Sequence, residues 1–535
     1  MKTNYLSLVV VVVMLLSLIV GCSNNSDVTS TQTPEKNTPD VESNLITEGM
    51  KIVKNPIQLK FATAQAPTTA PDWNTVKIWQ EFAKMTNVNV EWDMMPTATL
   101  KEKLNLMLVG GDYPDGIYGA GFSGIELAKY GGEGTFIRLN DLIDQYAPNL
   151  KKLFEEYPEV KKALTMVDGN IYSFPGLSDP TFVESSLVGK VWLKKELLDS
   201  LGLQEPKTVD EFYHMLKTMK ESDPEVIPYA GVGVGHLINY LQGAWGLGNR
   251  GTAHGTVDLD PETNKLRFIQ TDPKYKELLQ FMNKLYTEGL LNKDIFTTNS
   301  QQFYATGATG VYGSTGTSDP STLMKQDGYV GSYALTGPYG DHIYSGVYAY
   351  LYDLGAFVIT DKNKNPAETV RWMDNFYTDE FIKMYMLGFE GESYEETTDG
   401  KYDYLDEIYN DPSGLTYEQA LLRYVVWPGG RYPGRIKSDF IPSASSPQII
   451  EATDKIRDDL IENRWPAFTF TEQESKDFSA VNGDISAYLG EMVAKFITGD
   501  ASFTEWGKYI ENLNSMGLEK YMEIYTSAYE RFENT

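Results

Sequence analysis

An alternation of strand and helix patterns near the start of the chain constrains its fold more than any other feature. The expected strands are 57–62, 88–92 and 116–118, and the expected helices are 76–83 and 100–108. Five such elements in so short a stretch predict right-handed crossovers and a mainly parallel sheet, which is an α/β fold. Ligands of such sheets bind at the carboxyl ends of the strands. The loops 63–73 and 119–124 are therefore candidate site loops.

The first 22 residues have the pattern of a secretory signal. Lys2 precedes a largely apolar run at 6–20, which ends in Ile-Val-Gly-Cys at 19–22. A membrane-spanning helix needs about 20 apolar residues, so the run is too short to span and suits the h-region of an exported protein. Cys22 is the single cysteine of the chain, and it resembles the lipidated cysteine of a bacterial lipobox. A buried cysteine after an ordinary signal is the alternative.

The composition after the signal separates a tether from a globular part. Residues 23–50 are polar, acidic and almost free of large apolar side chains, so they are expected to form a flexible tether. Roughly 480 residues remain, enough for two or three units. The chain has 74 acidic against 46 basic residues and a formal net charge of −28. Long-range repulsion then excludes nucleic acid and an anionic membrane surface as partners, so the lipid anchor alone would reach the membrane.

Seven short sequence blocks occur in a fixed order along the chain. They lie at 111–115, 168–175, 194–203 with 206–208 and 211–212, 285–290, 371–374, 389–394 and 496–499. Together they resemble family 1 extracellular solute-binding proteins, and within that family the LipO-like lipoproteins. The resemblance implies a type II periplasmic-binding-protein-like fold, in which two discontinuous α/β lobes are joined by a hinge. The expected borders are 51–176 with 341–395 for lobe one, and 177–340 with 396–535 for lobe two.

The same resemblance implies a function in transport. Such a receptor sits on the extracytoplasmic face of the cell membrane, captures an oligosaccharide and delivers it to the permease subunits of an ABC importer. Ligand that touches both lobes favours their closed state. The receptor is expected to be a monomer with no catalytic residue. A peptide receptor on the same scaffold is an open alternative, and an exported carbohydrate-active enzyme with paired carboxylates is a less favoured one.

No cofactor and no metal site is predicted. Related receptors often carry a calcium loop at a stretch that is compressed here to 223–228, which offers too few oxygens for the roughly six to eight ligands of calcium. Asp361, Asn363 and Asn365 lack the glycine of an EF-hand loop, and Asn365 before Pro366 is expected to cap a helix instead. Three further helix starts have the spacing of a capping box. They are Thr208 with Glu211, Thr471 with Glu474, and Ser502 with Glu505.

The candidate ligand contacts are mostly aromatic. Aromatic residues make up 13% of the chain, with 35 Tyr and 9 Trp, and a ring face can stack on the C–H face of a sugar. The candidates are Trp73, Tyr118, Phe122, Trp192, Trp245, Tyr312, Ser314, Glu390, Trp427 and Arg431. Core packing is the alternative for Trp73, Trp192 and Trp245, and an exposed surface acid is the alternative for Glu390. The segment 423–435 adds Arg423 and Arg435, and we expect it to bind an acidic or large oligosaccharide.

Overall fold

The computed structural model describes residues 44–534 except 67, 399, 429 and 443–445. The predicted signal, Cys22 and the tether up to residue 43 lie outside the described residues. Residues 44–50 were expected in the tether, but Leu45 pairs with Val53 and both Leu45 and Met50 pack against a hydrophobic core. Of the helices within the described part of the chain, none combines the length and the apolar character that crossing a bilayer requires.

The strands confirm the predicted alternation at the start of the chain. In chain order they are Ile57–Gln65 (β1), Val88–Pro96 (β2), Gly116–Phe122 (β3), Ser173–Ser178 (β4), Val191–Lys194 (β5), Ile227–Ala230 (β6), Val257–Leu259 (β7), Leu266–Phe268 (β8), Tyr312–Gly316 (β9), Tyr329–Gly331 (β10), Leu351–Ile359 (β11), Tyr394–Glu396 (β12), Tyr402–Tyr404 (β13) and Arg435–Ile436 (β14).

The helices lie between these strands and after them. In the first half they are Lys77–Thr86 (α1), Leu100–Gly110 (α2), Gly124–Gly132 (α3), Asn140–Tyr146 (α4), Pro148–Glu156 (α5), Pro158–Leu164 (α6), Val183–Ser186 (α7), Lys195–Ser200 (α8), Val209–Ser222 (α9) and Gly235–Leu241 (α10). In the second half they are Pro273–Thr287 (α11), Ser300–Gly307 (α12), Pro320–Met324 (α13), Pro366–Asp374 (α14), Asp379–Leu387 (α15), Asp406–Tyr409 (α16), Tyr417–Leu421 (α17), Pro447–Asp454 (α18), Glu472–Thr498 (α19), Trp506–Ser515 (α20) and Leu518–Asn534 (α21).

The larger sheet has the strand order β14-β4-β11-β3-β1-β2. Its strands run parallel except β11, which is antiparallel to both neighbours. Neighbouring residues of a strand point to opposite faces, so Phe61 and Phe357 pack into a core on one face, while Ala62 and Val358 pack into a core on the other. Helices cover both faces of this sheet, as the mainly parallel arrangement requires.

The smaller sheet has the strand order β10-β5-β9-β6. In it β6 and β9 run parallel, whereas β5 runs antiparallel to β9 and β10. A separate core surrounds this sheet and includes side chains of α9, α11 and the C-terminal helices α19–α21. We call the part around the larger sheet the first lobe and the part around the smaller sheet the second lobe.

Core membership differs from the predicted lobe borders at two places. Residues 396–440 were expected in lobe two, but Tyr404, Val425 and Phe440 pack into the core of the first lobe. Tyr344 was expected in lobe one, but it packs into the core of the second lobe. The resemblance implies that there are two lobes. The positions at which the chain crosses from one lobe to the other depend instead on apolar contacts between residues far apart in sequence.

The predicted helix starts are confirmed in part. Thr208 with Glu211 and Thr471 with Glu474 form complete capping boxes. Ser502 is a cap as well, but its hydroxyl accepts from the backbone of Thr504 rather than from Glu505. α14 begins at Pro366 with Asn365 as its N-cap residue, as predicted, but the side chain of Asn365 makes no capping hydrogen bond within the described residues.

Candidate functional site

The carboxyl ends of both sheets meet the segments that join the lobes. β4 ends at Ser178, and the chain then enters the second lobe at the first residue of β5. The chain returns at the first residue of β11, which lies at the same edge as the ends of β3 and β4 because β11 is antiparallel to them. Two segments that join the lobes lie at these edges, a first crossing segment (179–190) and a second crossing segment (347–353). We call the region bounded by the two edges the crevice and these two segments its floor. A third crossing follows Phe440.

An ion pair marks the first-lobe wall of this crevice. Nη1 of Arg431 lies 2.8 Å from Oδ2 of Asp353 in β11, and the side-chain exposures are 57% and 3%. Burial raises the pKa of the Asp353 carboxyl, and Arg431 opposes that shift. Gly121 has φ +65°, and a Cβ built there would lie 2.5 Å from Nη1 of Arg431. The lack of a side chain at Gly121 thus creates the space in which the guanidinium lies.

Three tyrosines occupy alternate positions of the second crossing segment. Tyr348 and Tyr352 are 49% and 41% exposed, and Tyr350 between them is half-buried. The hydroxyl of Tyr352 donates to the carbonyl of Tyr432 at 2.9 Å, and burial raises its pKa well above the ordinary value. Tyr352 is therefore partly exposed while its hydroxyl is fixed in the protein. Sequence reasoning missed these residues, although the Tyr-x-Tyr-x-Tyr spacing at 348–352 was visible.

Arg464 brings the second lobe to the same segment. Its guanidinium carbon lies 4.9 Å from the centre of the Tyr350 ring, and its Nη1 donates to Oγ of Ser186 at 2.9 Å. Burial lowers the pKa of Arg464. The crevice floor thus carries aromatic rings with one guanidinium from each lobe beside them.

The wall of the second lobe contains polar groups near the ends of β6 and β9. Among the described residues, Oη of Tyr229, Nδ1 of His236 and Oγ1 of Thr317 are buried without a hydrogen-bond partner. Burial lowers the pKa of His236. Val191 pairs with Gly316, and this register continued by one residue places Lys190 opposite Thr317. Burial lowers the pKa of Lys190, and the charges of Glu184 and Asp319 oppose that shift.

The other two arginines expected to bind glycan are held by aspartates. Nε of Arg435 donates to Oδ2 of Asp179 at 2.8 Å, which joins β14 to the first crossing segment. Arg423 is paired with the side chain of Asp411. The positive charge of the segment 423–435 is therefore compensated by carboxylates, and Arg431 alone among these three has a partner on the crevice wall.

Two of the predicted aromatic contacts lie inside the first-lobe core. Nε1 of Trp73 donates to Oγ1 of Thr69 at 3.0 Å, and the hydroxyl of Tyr118 donates to that of Tyr385 at 3.1 Å. Both rings are buried in an edge-to-face cluster with Trp92, at centroid distances of 5.1 and 5.3 Å. Core packing, the open alternative for Trp73, describes both rings in this conformation, so the prediction that Tyr118 lies on the crevice is corrected.

Five further candidates are buried as well. Each lies in a hydrophobic core or donates its polar hydrogen to a backbone carbonyl. Phe122 packs 4.9 Å from Phe136, Trp192 donates to the carbonyl of Thr317 at 2.8 Å, Tyr312 donates to Phe303, Ser314 donates to Pro228, and Trp245 lies in the core of the second lobe. The expectation that these residues line an open wall is corrected by their burial.

Glu390 and Trp427 lie at the periphery of the first-lobe edge. Glu390 is exposed and follows Phe389, whose ring lies 4.6 Å from the ammonium of Lys77 at the start of α1. Trp427 is half-buried and donates through Nε1 to the carbonyl of Met386 at 2.9 Å. Both stay predicted ligand contacts.

The described residues contain no cluster of three or more His, Cys, Asp or Glu placed to hold a metal ion. At the shortened calcium stretch, Oδ1 of Asp223 accepts from the backbone of Glu225 at 2.9 Å. At the second candidate, Nδ2 of Asn363 donates to Oγ1 of Thr369 at 2.8 Å. These oxygens and amides satisfy local backbone and side-chain groups.

Comparison with known proteins decides the family. The sequence model of the bacterial extracellular solute-binding proteins matches residues 66–381, more than half of the chain. The chain belongs to that family. Its curated relatives include the fructooligosaccharide ABC transporter substrate-binding protein FusA of Streptococcus pneumoniae serotype 4, which is 29% identical over 500 residues. That alignment covers 89% of this solute-binding protein and 90% of FusA.

A second relative and the solved structures agree with this assignment. Lipoprotein LipO of Bacillus subtilis is 28% identical over 235 residues, 41% of this chain and 42% of LipO. The structure of FusA in complex with kestose matches this solute-binding protein with a TM-score of 0.72 at 26% identity, and covers 89% of this chain and 100% of FusA. These matches confirm the predicted two-lobed type II fold.

Proposed function

We propose that this protein is the oligosaccharide receptor of an ABC importer. The observation that carries the proposal is the exposed tyrosine segment on the crevice floor beside the Arg431–Asp353 pair. Ring faces contact the apolar face of a sugar, and the guanidinium and carboxylate offer a donor and an acceptor to its hydroxyls. The relative FusA, named for fructooligosaccharides and aligned along most of the chain, supports the same substrate class.

The charge of the segment 423–435 favours a neutral ligand over an acidic one. Arg431 and Arg435 each face a carboxylate that is almost fully buried, so neither adds a net charge to the wall. The formal net charge of −28 repels anions at long range. This revises the expectation that the segment binds an acidic glycan, for which arginines without a carboxylate partner would be required there.

The mechanism is a population shift between an open and a closed arrangement of the lobes. We place the first lobe at residues 44–178 with 351–440 and the second at 183–347 with 446–534, following core membership. Ligand bound on the crossing segments contacts groups of both lobes and so stabilises the closed state. The closed receptor then docks on permease subunits, and the ligand is released unchanged, as expected from relatives that are named substrate-binding proteins.

Anchoring at the extracytoplasmic face of the membrane through Cys22 is part of the same proposal. It rests on the apolar run and the Gly-Cys pair at 21–22. Detergent phase partitioning of the wild type and of Cys22→Ala tests it, with the wild type expected in the detergent phase and the variant in the aqueous phase. An aqueous wild type would contradict the anchor.

Isothermal titration calorimetry tests ligand binding. The panel contains kestose, nystose, maltotriose, a trigalacturonide and an unrelated tripeptide. We expect at least one neutral oligosaccharide to bind and chromatography to recover it intact. Binding of the tripeptide alone would favour the peptide receptor, and cleaved glycan would favour the enzyme. Tyr339→Ala is the control, since Tyr339 is exposed but bonds to Glu277 in the second lobe, outside the crevice floor.

A further inference from the structure

We infer that the second crossing segment makes both the affinity and the closure of the lobes depend on the length of a linear glycan. This inference rests on the proposed function. The segment leaves the second-lobe core at Val347, which pairs with Leu187. It enters the larger sheet at Leu351, which pairs with Leu177. Every residue between these two points therefore belongs to the hinge.

The two crossing segments are fastened to each other by backbone hydrogen bonds. The N–H of Tyr348 donates to the carbonyl of Ser186 at 2.8 Å, and the N–H of Ser178 donates to the carbonyl of Tyr350 at 2.9 Å. Tyr348 is thus tied to α7 on the side of the second lobe. Tyr350 is tied to the end of β4 on the side of the first lobe. A change in the lobe angle must alter the backbone between these two points.

The tyrosine rings lie on this same backbone. Tyr348 lies on the hinge and Tyr352 at the start of β11, and they expose 49% and 41% of their surface. The backbone between them spans about 13 Å at most, and the bend at Tyr350 and the register shift between Leu351 and Asp353 shorten that distance. A single monosaccharide touches one of these two residues, whereas a longer glycan touches both.

The polar partners of the rings come from different lobes. Arg464 of the second lobe lies over Tyr350. Asp353 and Arg431 of the first lobe lie next to Tyr352. A short glycan reaches the groups of one lobe only, and a longer one reaches both. Differential contact with the closed state is what shifts a two-state equilibrium, so closure depends on ligand length up to the third ring.

The test is a titration of two homologous series with small-angle scattering in parallel. The probes are fructose, sucrose, kestose and nystose, and glucose, maltose, maltotriose and maltotetraose. For the series that binds, we expect affinity to rise by roughly tenfold or more per added unit up to the trisaccharide and then to level off. The radius of gyration is expected to fall only with the trisaccharide and the tetrasaccharide.

Substitutions in the second crossing segment test whether the length dependence of the affinity arises there. Tyr352→Ala and Tyr348→Ala are each expected to abolish the gain in affinity from disaccharide to trisaccharide. Tyr339→Ala, the matched exposed tyrosine, is expected to behave as the wild type. Affinity independent of length, or an unchanged length profile in both variants, would overturn the inference while the proposed function stands. A wild type that binds no member of either series would overturn the proposed function itself.

Discussion

The tryptophan cluster of the first lobe and the tyrosine segment of the crevice use the same kind of side chain in opposite ways. Trp73, Trp79 and Trp92 lie within 6.1 Å of one another, centre to centre, and are all buried. Tyr348 and Tyr352 expose nearly half of their surface on the hinge. Abundant aromatic residues in a sequence therefore indicate a large core first, and a ligand platform only where the backbone runs along a crevice.

Removal of a ring from the buried cluster gives the largest expected effect. Trp73→Ala leaves a cavity and is expected to lower the free energy of unfolding by about 3 to 5 kcal/mol, measured by urea denaturation. Tyr348→Ala is the matched exposed change and is expected to stay within about 0.5 kcal/mol of the wild type. A stable Trp73→Ala protein that no longer binds glycan would place Trp73 in the ligand wall after all.

A buried histidine ring in the second lobe extends the comparison to the pH dependence of stability. His254 packs against Phe468 and Tyr525, and burial lowers its pKa from an ordinary 6.5 to about 4. The unfolded chain binds the proton more tightly, so this contribution to stability is complete above about pH 6.5 and is lost as the pH falls towards 4. The loss amounts to about 3 kcal/mol.

Urea denaturation between pH 7 and pH 4 measures this contribution. His254→Phe is expected to weaken the pH dependence by that amount, and the exposed His214→Gln is expected to leave it unchanged. Equal slopes in the wild type and in His254→Phe would show that the ring does not titrate as its burial requires.

A smaller effect is expected at the glycine beside Arg431. Gly121→Ala introduces a Cβ at positive φ and into the space of the guanidinium, so we expect a loss of about 1 to 2 kcal/mol together with weaker glycan binding. Gly507→Ala in α20 has no neighbour within 4 Å of the new Cβ and is expected to be neutral or stabilising. Calorimetry of both variants checks this, and unchanged binding in Gly121→Ala would separate Arg431 from the site.

The smallest effect is expected when a tyrosine keeps its ring. Tyr352→Phe loses the hydrogen bond to the carbonyl of Tyr432 and is expected to cost about 1 kcal/mol, while its affinity for glycan stays close to that of the wild type. The ring face is retained, in contrast to Tyr352→Ala. If Tyr352→Phe binds as weakly as Tyr352→Ala, the hydroxyl and not the ring contacts the ligand.

Local patterns predicted the elements of the first lobe because strand and helix periods are local properties. The alternation at 57–62 became β1, and the capping boxes at Thr208 and Thr471 formed as expected. Whether an aromatic ring lies in the core or on the crevice is not decided by the local sequence. Trp73 follows an Ala-Pro-Asp loop, yet Asp72 caps a short turn that directs the indole into the core.

Only part of the candidate site could be predicted from the sequence. Arg431 was identified because arginine is scarce in an acidic chain, and the structure places it on the crevice wall. The tyrosines at 348–352 alternate as an ordinary strand would. Their exposure depends on where β11 enters the larger sheet, which is decided by its pairing with strands some 170 to 230 residues earlier.

The placement of β11 also has a consequence for assembly. This strand lies between β4 and β3 in the larger sheet. The two parts of that sheet therefore cannot join until β11, which ends at residue 359, has paired with both. Two exposed strand edges persist during that interval, and such edges invite pairing with other chains. Because β11 pairs with strands far away in sequence, refolding of this protein is expected to be slow and sensitive to concentration, with the insertion of this one strand setting the pace.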